Sequence, residues 1–126
     1  GLSLSAINLG GIITSLQFHF RTGLVDTVIG YPSLEQYLPN PAYLGAIVGR
    51  YANRIRNGAF KLEDKLIQLS KNNSHNHLHG GLYGFDQQFW DIEIDTFENY
   101  PSLFLSYISE HGEEGYPGEL HVNVIY

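Results

Sequence analysis

No cysteine occurs among the 126 residues, which excludes disulfides and thiolate chemistry and leaves any metal to histidine, carboxylate or carbonyl ligands. Methionine is absent too, and the chain opens on Gly1, so its natural start is expected to be missing. Charge is sparse: Asp, Glu, Lys and Arg make up 16% of the chain, against a usual share of about 25%. The seven basic residues form no run and the formal net charge is −6, so nothing favours phosphate backbones or anionic lipid. Neither nucleic acid nor membrane is expected as a partner. No apolar run approaches the roughly 18 residues of a membrane span, and no signal peptide is visible. A cytoplasmic location is the expectation, although the lack of cysteine alone does not fix the compartment.

What the chain does contain is apolar and aromatic bulk: 43% hydrophobic residues, with nine Tyr, seven Phe and one Trp. That composition is β-rich and sized for one domain or a piece of one. Apolar positions recur with a period of two and are interrupted at short intervals by turn residues, the pattern of antiparallel strands. Leu2 to Leu9 and Ile12 to Phe18 read as strands about Gly10-Gly11, and Val25 to Ile29 as a short third strand. Ser33 can cap a brief helical turn through Gln36, which Pro39-Asn40-Pro41 ends. Ala59 to Leu62 and Leu66 to Leu69 form an expected hairpin about Glu63-Asp64-Lys65. Phe89 to Ile94 and Leu103 to Ile108 form another across Glu98-Asn99-Tyr100-Pro101. A last strand alternates from Leu120 to Tyr126. An open ladder edge at that point would leave backbone groups unpaired, so further chain is expected.

Three stretches are polar where plain strands would be apolar. In Gly49-Arg50-Tyr51-Ala52-Asn53-Arg54-Ile55, an extended backbone would send Arg50, Ala52 and Arg54 to one face and Tyr51, Asn53 and Ile55 to the other. A guanidinium suits the vicinal hydroxyls of a sugar or a carboxylate; a surface ion pair is the plainer use of it. His75, His77 and His79 alternate and could share one face as metal ligands. No carboxylate follows before Asp86, and Gly80-Gly81 breaks the strand, so one functional histidine beside two solvent-facing ones is the alternative. The third stretch, Glu110 to Gly118, holds three carboxylates spaced by Gly and Pro, which suggests a tight structural loop more than an acidic site. Trp90 and Tyr83 could stack on a pyranose, with core packing the default for Trp90. Asn72-Asn73-Ser74 is a glycan-acceptor triplet, best explained by chance.

Taken together, Gly-Arg-Tyr-Ala-Asn-Arg-Ile at 49–55, Leu-His-Gly-Gly at 78–81 and Glu-Glu-Gly-Tyr-Pro-Gly at 113–118 resemble the galactose mutarotase family of aldose 1-epimerases in residues, order and spacing. The resemblance extends to Leu9 through Leu16 and to Gly84-Phe85-Asp86 with Trp90. It implies an all-β fold, an antiparallel β-sandwich of the galactose mutarotase type, of which residues 1–126 form the N-terminal portion of a single domain. It also implies interconversion of the α and β anomers of a monosaccharide such as galactose or glucose, with no metal and no organic cofactor. Asn53 and Arg54 match the family's substrate-binding pair. His79 matches the active-site histidine near the sugar's ring oxygen, making it the one catalytic candidate. The family's principal general acid, a second histidine, and its base, a glutamate, come from later chain, so the 126 residues alone are expected to be inactive. A sugar-phosphate epimerase, using Arg50 and Arg54, or a non-catalytic sugar-binding relative, are the alternatives. Ser74-His75 stands where the family often has Gly-Pro, His77 where it often has a small residue, and His111 where Asp is usual, so His75 and His77 look dispensable. Oligomeric state is left open.

Overall fold

A computed structural model describes all of residues 1–126. Ten strands are present: β1 (Leu2–Ala6), β2 (Ile13–Phe20), β3 (Gly23–Asp26), β4 (Arg54–Ile55), β5 (Ala59–Leu62), β6 (Lys65–Gln68), β7 (His77–Leu78), β8 (Asp91–Phe97), β9 (Tyr100–Ser109) and β10 (Leu120–Ile125). Every ladder is antiparallel, and the only helical segments are single 3-10 turns. β1-β2-β3 and β10-β9-β8 are three-stranded sheets, while β4-β7 and β5-β6 are two-stranded. The architecture is the all-β, antiparallel one expected from the alternating pattern.

Alternation explains which side chains meet. Ile92, Leu105 and Val124 lie in one cross-strand row, as do Ile94 and Leu103 beside Tyr126. From this face Leu105 joins Phe85 and Trp90 in the buried cluster, and Leu103, Val124 and Tyr126 pack on it with Ile47, Tyr107 and Val122, while Ile92 and Ile94 stay exposed. Trp90 is 2% exposed and its indole N–H donates to the Phe85 carbonyl at 3.0 Å. It is therefore a core residue and no sugar platform. Tyr126 ties the ends of the chain together, its hydroxyl donating to the Gly11 carbonyl at 2.9 Å.

Several boundaries depart from the sequence reading for physical reasons. The first strand ends at Ala6, where the register slips and Ile7 N–H turns back to the Ile12 carbonyl at 2.9 Å. The third strand is Gly23–Asp26 and not Val25 to Ile29, because the Asp26 carboxylate accepts from the N–H groups of Leu16 and Val28 and the hydroxyl of Ser15. An aspartate that binds the backbone two residues on makes a turn there. In the 89–108 hairpin the turn is only Glu98-Asn99; Tyr100 and Pro101 are already strand, opposite Phe97 and Thr96. Pro101 is tolerated because β10 pairs β9 only from Phe104 onward, so no β10 residue stands opposite it. The brief turn after Ser33 spans Leu34–Tyr37, with Ser33 N–H donating to the Gln36 side chain.

Candidate functional site

The stretch 49–55 is not an extended strand, so the two-faced arrangement of Arg50, Ala52 and Arg54 does not form: only Arg54–Ile55 is β. Arg50 turns into the protein. Its Nε donates to Ser109 Oγ at 2.7 Å, and its two Nη groups donate to the carbonyls of Ser109, Glu110, Pro117 and Gly118 at 2.8 to 3.2 Å. It also lies 5.7 Å from the centre of the Tyr116 ring. Five acceptors use the guanidinium's full donor capacity. Arg50 is thus neither an ion-paired surface residue nor free to meet a ligand; it closes the 109–118 loop.

The three histidines have three fates, and the shared-face reading fails. His75 is exposed. His77, expected to face solvent, is fully buried. Its Nδ1 lies 2.8 Å from the Ser70 carbonyl, which can only accept, so Nδ1 carries the proton. Nε2 therefore accepts from the Tyr116 hydroxyl at 2.7 Å. Burial pushes the Tyr116 hydroxyl pKa up to about 12, which keeps that donor protonated. Both ring nitrogens of His77 are consumed, so it offers nothing to a metal. In this chain it is a core residue, not a dispensable one.

His79 differs because it follows the strand. β4 and β7 pair Arg54 with Leu78 and Ile55 with His77. At the next position Asn53 and His79 both adopt positive φ, 64° and 50°, which ends the ladder. There His79 N–H donates to the Asn53 carbonyl at 3.0 Å, while Asn53 N–H donates to the imidazole Nδ1, also at 3.0 Å. The side chain takes the role a backbone carbonyl would have. Because Nδ1 accepts, the neutral ring carries its proton on Nε2 and presents a donor there. The Tyr43 ring packs against it, centroids 4.7 Å apart at 55°.

Arg54 stands beside this pair, exposed. Its Nε donates to the Asn73 side-chain oxygen at 3.1 Å and its Nη1 to the Asn53 side-chain oxygen at 3.2 Å. Both partners are neutral amides, and the two ion pairs in the chain are Lys61–Asp64 and His121–Glu119. The guanidinium is therefore oriented without losing its charge. Arg54 also borders an open cleft of about 360 Å3 walled by Tyr51, Ile55, Phe60 and Tyr116. The structure thus brings Asn53, Arg54 and His79 together at the end of one short ladder, offering a fixed N–H donor and an uncancelled cation within one region.

The acidic loop is structural. Glu113 accepts from the hydroxyls of Tyr107 and Ser109; burial, and after it the hydrogen bond to Glu113 and that group's charge, raise the Tyr107 pKa. Glu114 accepts from the Ser70 hydroxyl, from Leu82 N–H at 2.9 Å and from Tyr83 N–H at 2.9 Å. Tyr83 itself is 69% exposed, its ring open to solvent. Asp86 is the anomaly: 3% exposed, with one oxygen bonded to the Gln87 amide at 2.8 Å and the other unpartnered. Burial pushes its carboxyl pKa up. Sequence alone singles out neither Tyr43, which carries no motif, nor Asn73, which stands there only within a polar stretch and a glycan triplet; Glu114 is read there as part of a structural loop, which the hydrogen bonds bear out.

The family model of aldose 1-epimerases matches residues 1–126. The chain is 44% identical to the galactose mutarotase of Bos taurus over 126 residues, covering 99% of this chain and 36% of that protein. It is 33% identical to the aldose 1-epimerase of Escherichia coli, covering all of this chain and again 36% of the relative. The chain therefore spans little more than a third of the length of these relatives. Two solved structures superpose on all of it with TM-scores of 0.86 and 28% identity, a GalM/aldose epimerase homologue from C. elegans and galactose 1-epimerase from Lactobacillus acidophilus. The chain covers 38% and 36% of them.

Proposed function

The chain belongs to the aldose 1-epimerase family, and from that premise we propose that the protein carrying it interconverts the α and β anomers of galactose or glucose. Residues 1–126 are, in this reading, the N-terminal portion of one mutarotase-type sandwich domain in a cytoplasmic enzyme. One observation supports it above others: Asn53, Arg54 and His79 converge, with Arg54 charged and His79 donating from Nε2.

Mutarotation removes a proton from the C1 hydroxyl and protonates the ring oxygen. The ring opens, the C1–C2 bond rotates, and the ring recloses on the other face. A donor near the ring oxygen and a cation against hydroxyl lone pairs favour the opened, charge-separated arrangement. His79 takes the first role and Arg54, steadied by Asn53, the second. The principal acid and base of the family come from later chain, so these 126 residues position the sugar and do not complete the proton transfer. No cofactor enters the scheme. The sugar-phosphate alternative calls for additional cationic contacts, and of its two candidates Arg50 is fully engaged by the 109–118 loop.

Polarimetry tests the proposal. Full-length protein added to freshly dissolved α-galactose or α-glucose is expected to speed the drift of optical rotation well above buffer. No acceleration with either sugar refutes it. Replacement of His79 by Ala is expected to lower kcat by about 100-fold or more.

A further inference from the structure

His79 needs a reason to stay where it is. Its turn runs through three consecutive residues of positive φ, His79 at 50°, Gly80 at 96° and Gly81 at 107°. Positive φ is tolerated by glycine and strained for histidine. The backbone bonds inside the turn are few: Gly81 N–H to the Leu78 carbonyl at 3.1 Å, and the exchange with Asn53. Something outside the turn must hold it.

That external support is Glu114. Its carboxylate accepts from two successive backbone N–H groups, Leu82 and Tyr83, one to each oxygen, and from Ser70 Oγ. It occupies the space that a Cβ on residue 81 would need, so the glycine and the carboxylate fit each other. Ser70 and Glu114 are joined a second time, Ser70 N–H donating to the Glu114 carbonyl at 3.0 Å. The Ser70 carbonyl in turn accepts from His77, whose strand leads directly into His79. Asn72 completes the frame by donating to the carbonyls of Leu78 and Gly81 and accepting from Leu78 N–H at 2.7 Å. The two amides that follow the turn, Leu82 and Tyr83, are thus tied to the 110–118 loop through one carboxylate, while Tyr116 of that loop meets the preceding strand at His77.

We propose that Glu114 is a positioning residue for His79: by clamping the Leu82 and Tyr83 amides it fixes the turn that lets Asn53 N–H reach the imidazole Nδ1, and so keeps the His79 proton on Nε2. The motif's first and second glutamates divide the work, Glu113 holding Tyr107 and Ser109 while Glu114 acts on the imidazole. A charged acceptor bonding to amides is stronger than a neutral one, which is why a carboxylate serves here better than a carboxamide. The consequence for catalysis rests on the mutarotase reading above; the consequence for the imidazole does not.

Long-range proton–nitrogen NMR on nitrogen-15-labelled full-length protein, well above the imidazole titration range, reads both histidines at once. In the wild type His79 is expected as the pure Nε2–H tautomer and His77 as the pure Nδ1–H tautomer, an internal check that the core is folded. Glu114→Ala is expected to leave His77 unchanged, to mix the tautomers of His79, and to lower mutarotation kcat by about 10-fold or more with a smaller change in KM. Glu114→Gln, which keeps the shape and a neutral acceptor, should recover part of both effects. A Glu114→Ala protein with His77 intact and His79 still purely Nε2–H overturns the proposal. If the alanine variant loses the His77 signature, Glu114→Gln decides: a pure Nε2–H His79 with wild-type kcat overturns it, and a mixed His79 upholds it. Absence of mutarotation in the wild type would fell the functional reading while leaving the tautomer result to stand or fall alone.

Discussion

At the scale of single residues, burial and donor count decide what each charged group does. Arg50 satisfies five acceptors from one side chain, and no other residue type has five donors in a planar fork. Arg50→Lys keeps the charge but leaves at least two acceptors without a donor, each costing about 1 kcal/mol or more. A loss of roughly 2–4 kcal/mol is expected, read as a lower urea midpoint with unchanged m-value. None of this was legible in the sequence. Arg50 and Arg54 look alike as i, i+4 guanidinium groups, and only the distant loop at 109–118 separates the structural one from the exposed one.

Asp86 gives the opposite result. Its unpartnered oxygen lies near the carbonyls of His79 and Gly49: all three sit within 2.8 to 3.1 Å of the point where a Cβ on Gly84 would be. An acceptor among acceptors is unfavourable, and an amide NH2 would find partners there. Burial raises the folded carboxyl pKa above its unfolded value, with the Glu114 charge adding and His79 opposing. The unfolded state therefore ionises first. Stability from this group is fully present below the ordinary carboxylate range and is lost as pH rises through the shifted value. Asp86→Asn is expected to remove that decline and to stabilise the protein by about 1 kcal/mol at neutral pH, seen as a higher thermal midpoint at pH 7 than at pH 4 relative to wild type. A variant less stable than wild type at neutral pH would show that the carboxylate is needed by the fold.

At the scale of elements, period-two alternation carried most of the strand positions, because one face of each main sheet is apolar and the other polar. Ser3, Gln17 and Asp26 share a row on one face, as Leu2, Phe18 and Val25 do on the other. What alternation could not convey is where an extended backbone stops. Asn53 and His79 leave the β region together, and the bond from Asn53 N–H to the His79 ring forms where they do. The same lesson holds for turn chemistry. Glu98 and Asn99 have φ of 50° and 68°, the two left-handed positions of a tight hairpin between Phe97 and Tyr100. Sequence suggests a looser turn there because Asn99 and Pro101 both read as turn residues. Replacing Glu98-Asn99 by Asn-Gly, the pair best suited to this turn, is expected to stabilise the hairpin by about 1 kcal/mol. Chemical denaturation of the double variant checks it, and hydrogen exchange at β8 and β9 should slow in parallel.

At the scale of the whole molecule, only 19 of 126 residues are buried, and the small cluster about Phe85, Trp90 and Leu105 leaves much apolar surface open. Leu2, Phe18 and Val25 form an exposed row on the β1-β2-β3 sheet at 62%, 38% and 44%. Ile94, on the face of β8 that carries Leu103 opposite it, is 79% exposed. Isolated exposed side chains are ordinary, but rows of them on sheet faces mark surfaces that associate. Relatives of the family are nearly three times as long, and the chain spans 36% of them. No helix of the chain is long and apolar enough to cross a membrane, so a bilayer-spanning helix does not account for these rows. The 126 residues produced alone are therefore expected to bind a hydrophobic dye strongly, to elute from size exclusion at masses that rise with concentration, and to give no mutarotation above buffer. Joined to a family-length continuation, the same residues should lose the dye signal and the concentration dependence. A monomeric, dye-silent 126-residue chain would mean that the open rows are stable in water as they stand, and a mutarotating one would mean that Asn53, Arg54 and His79 suffice for proton transfer without a later acid and base.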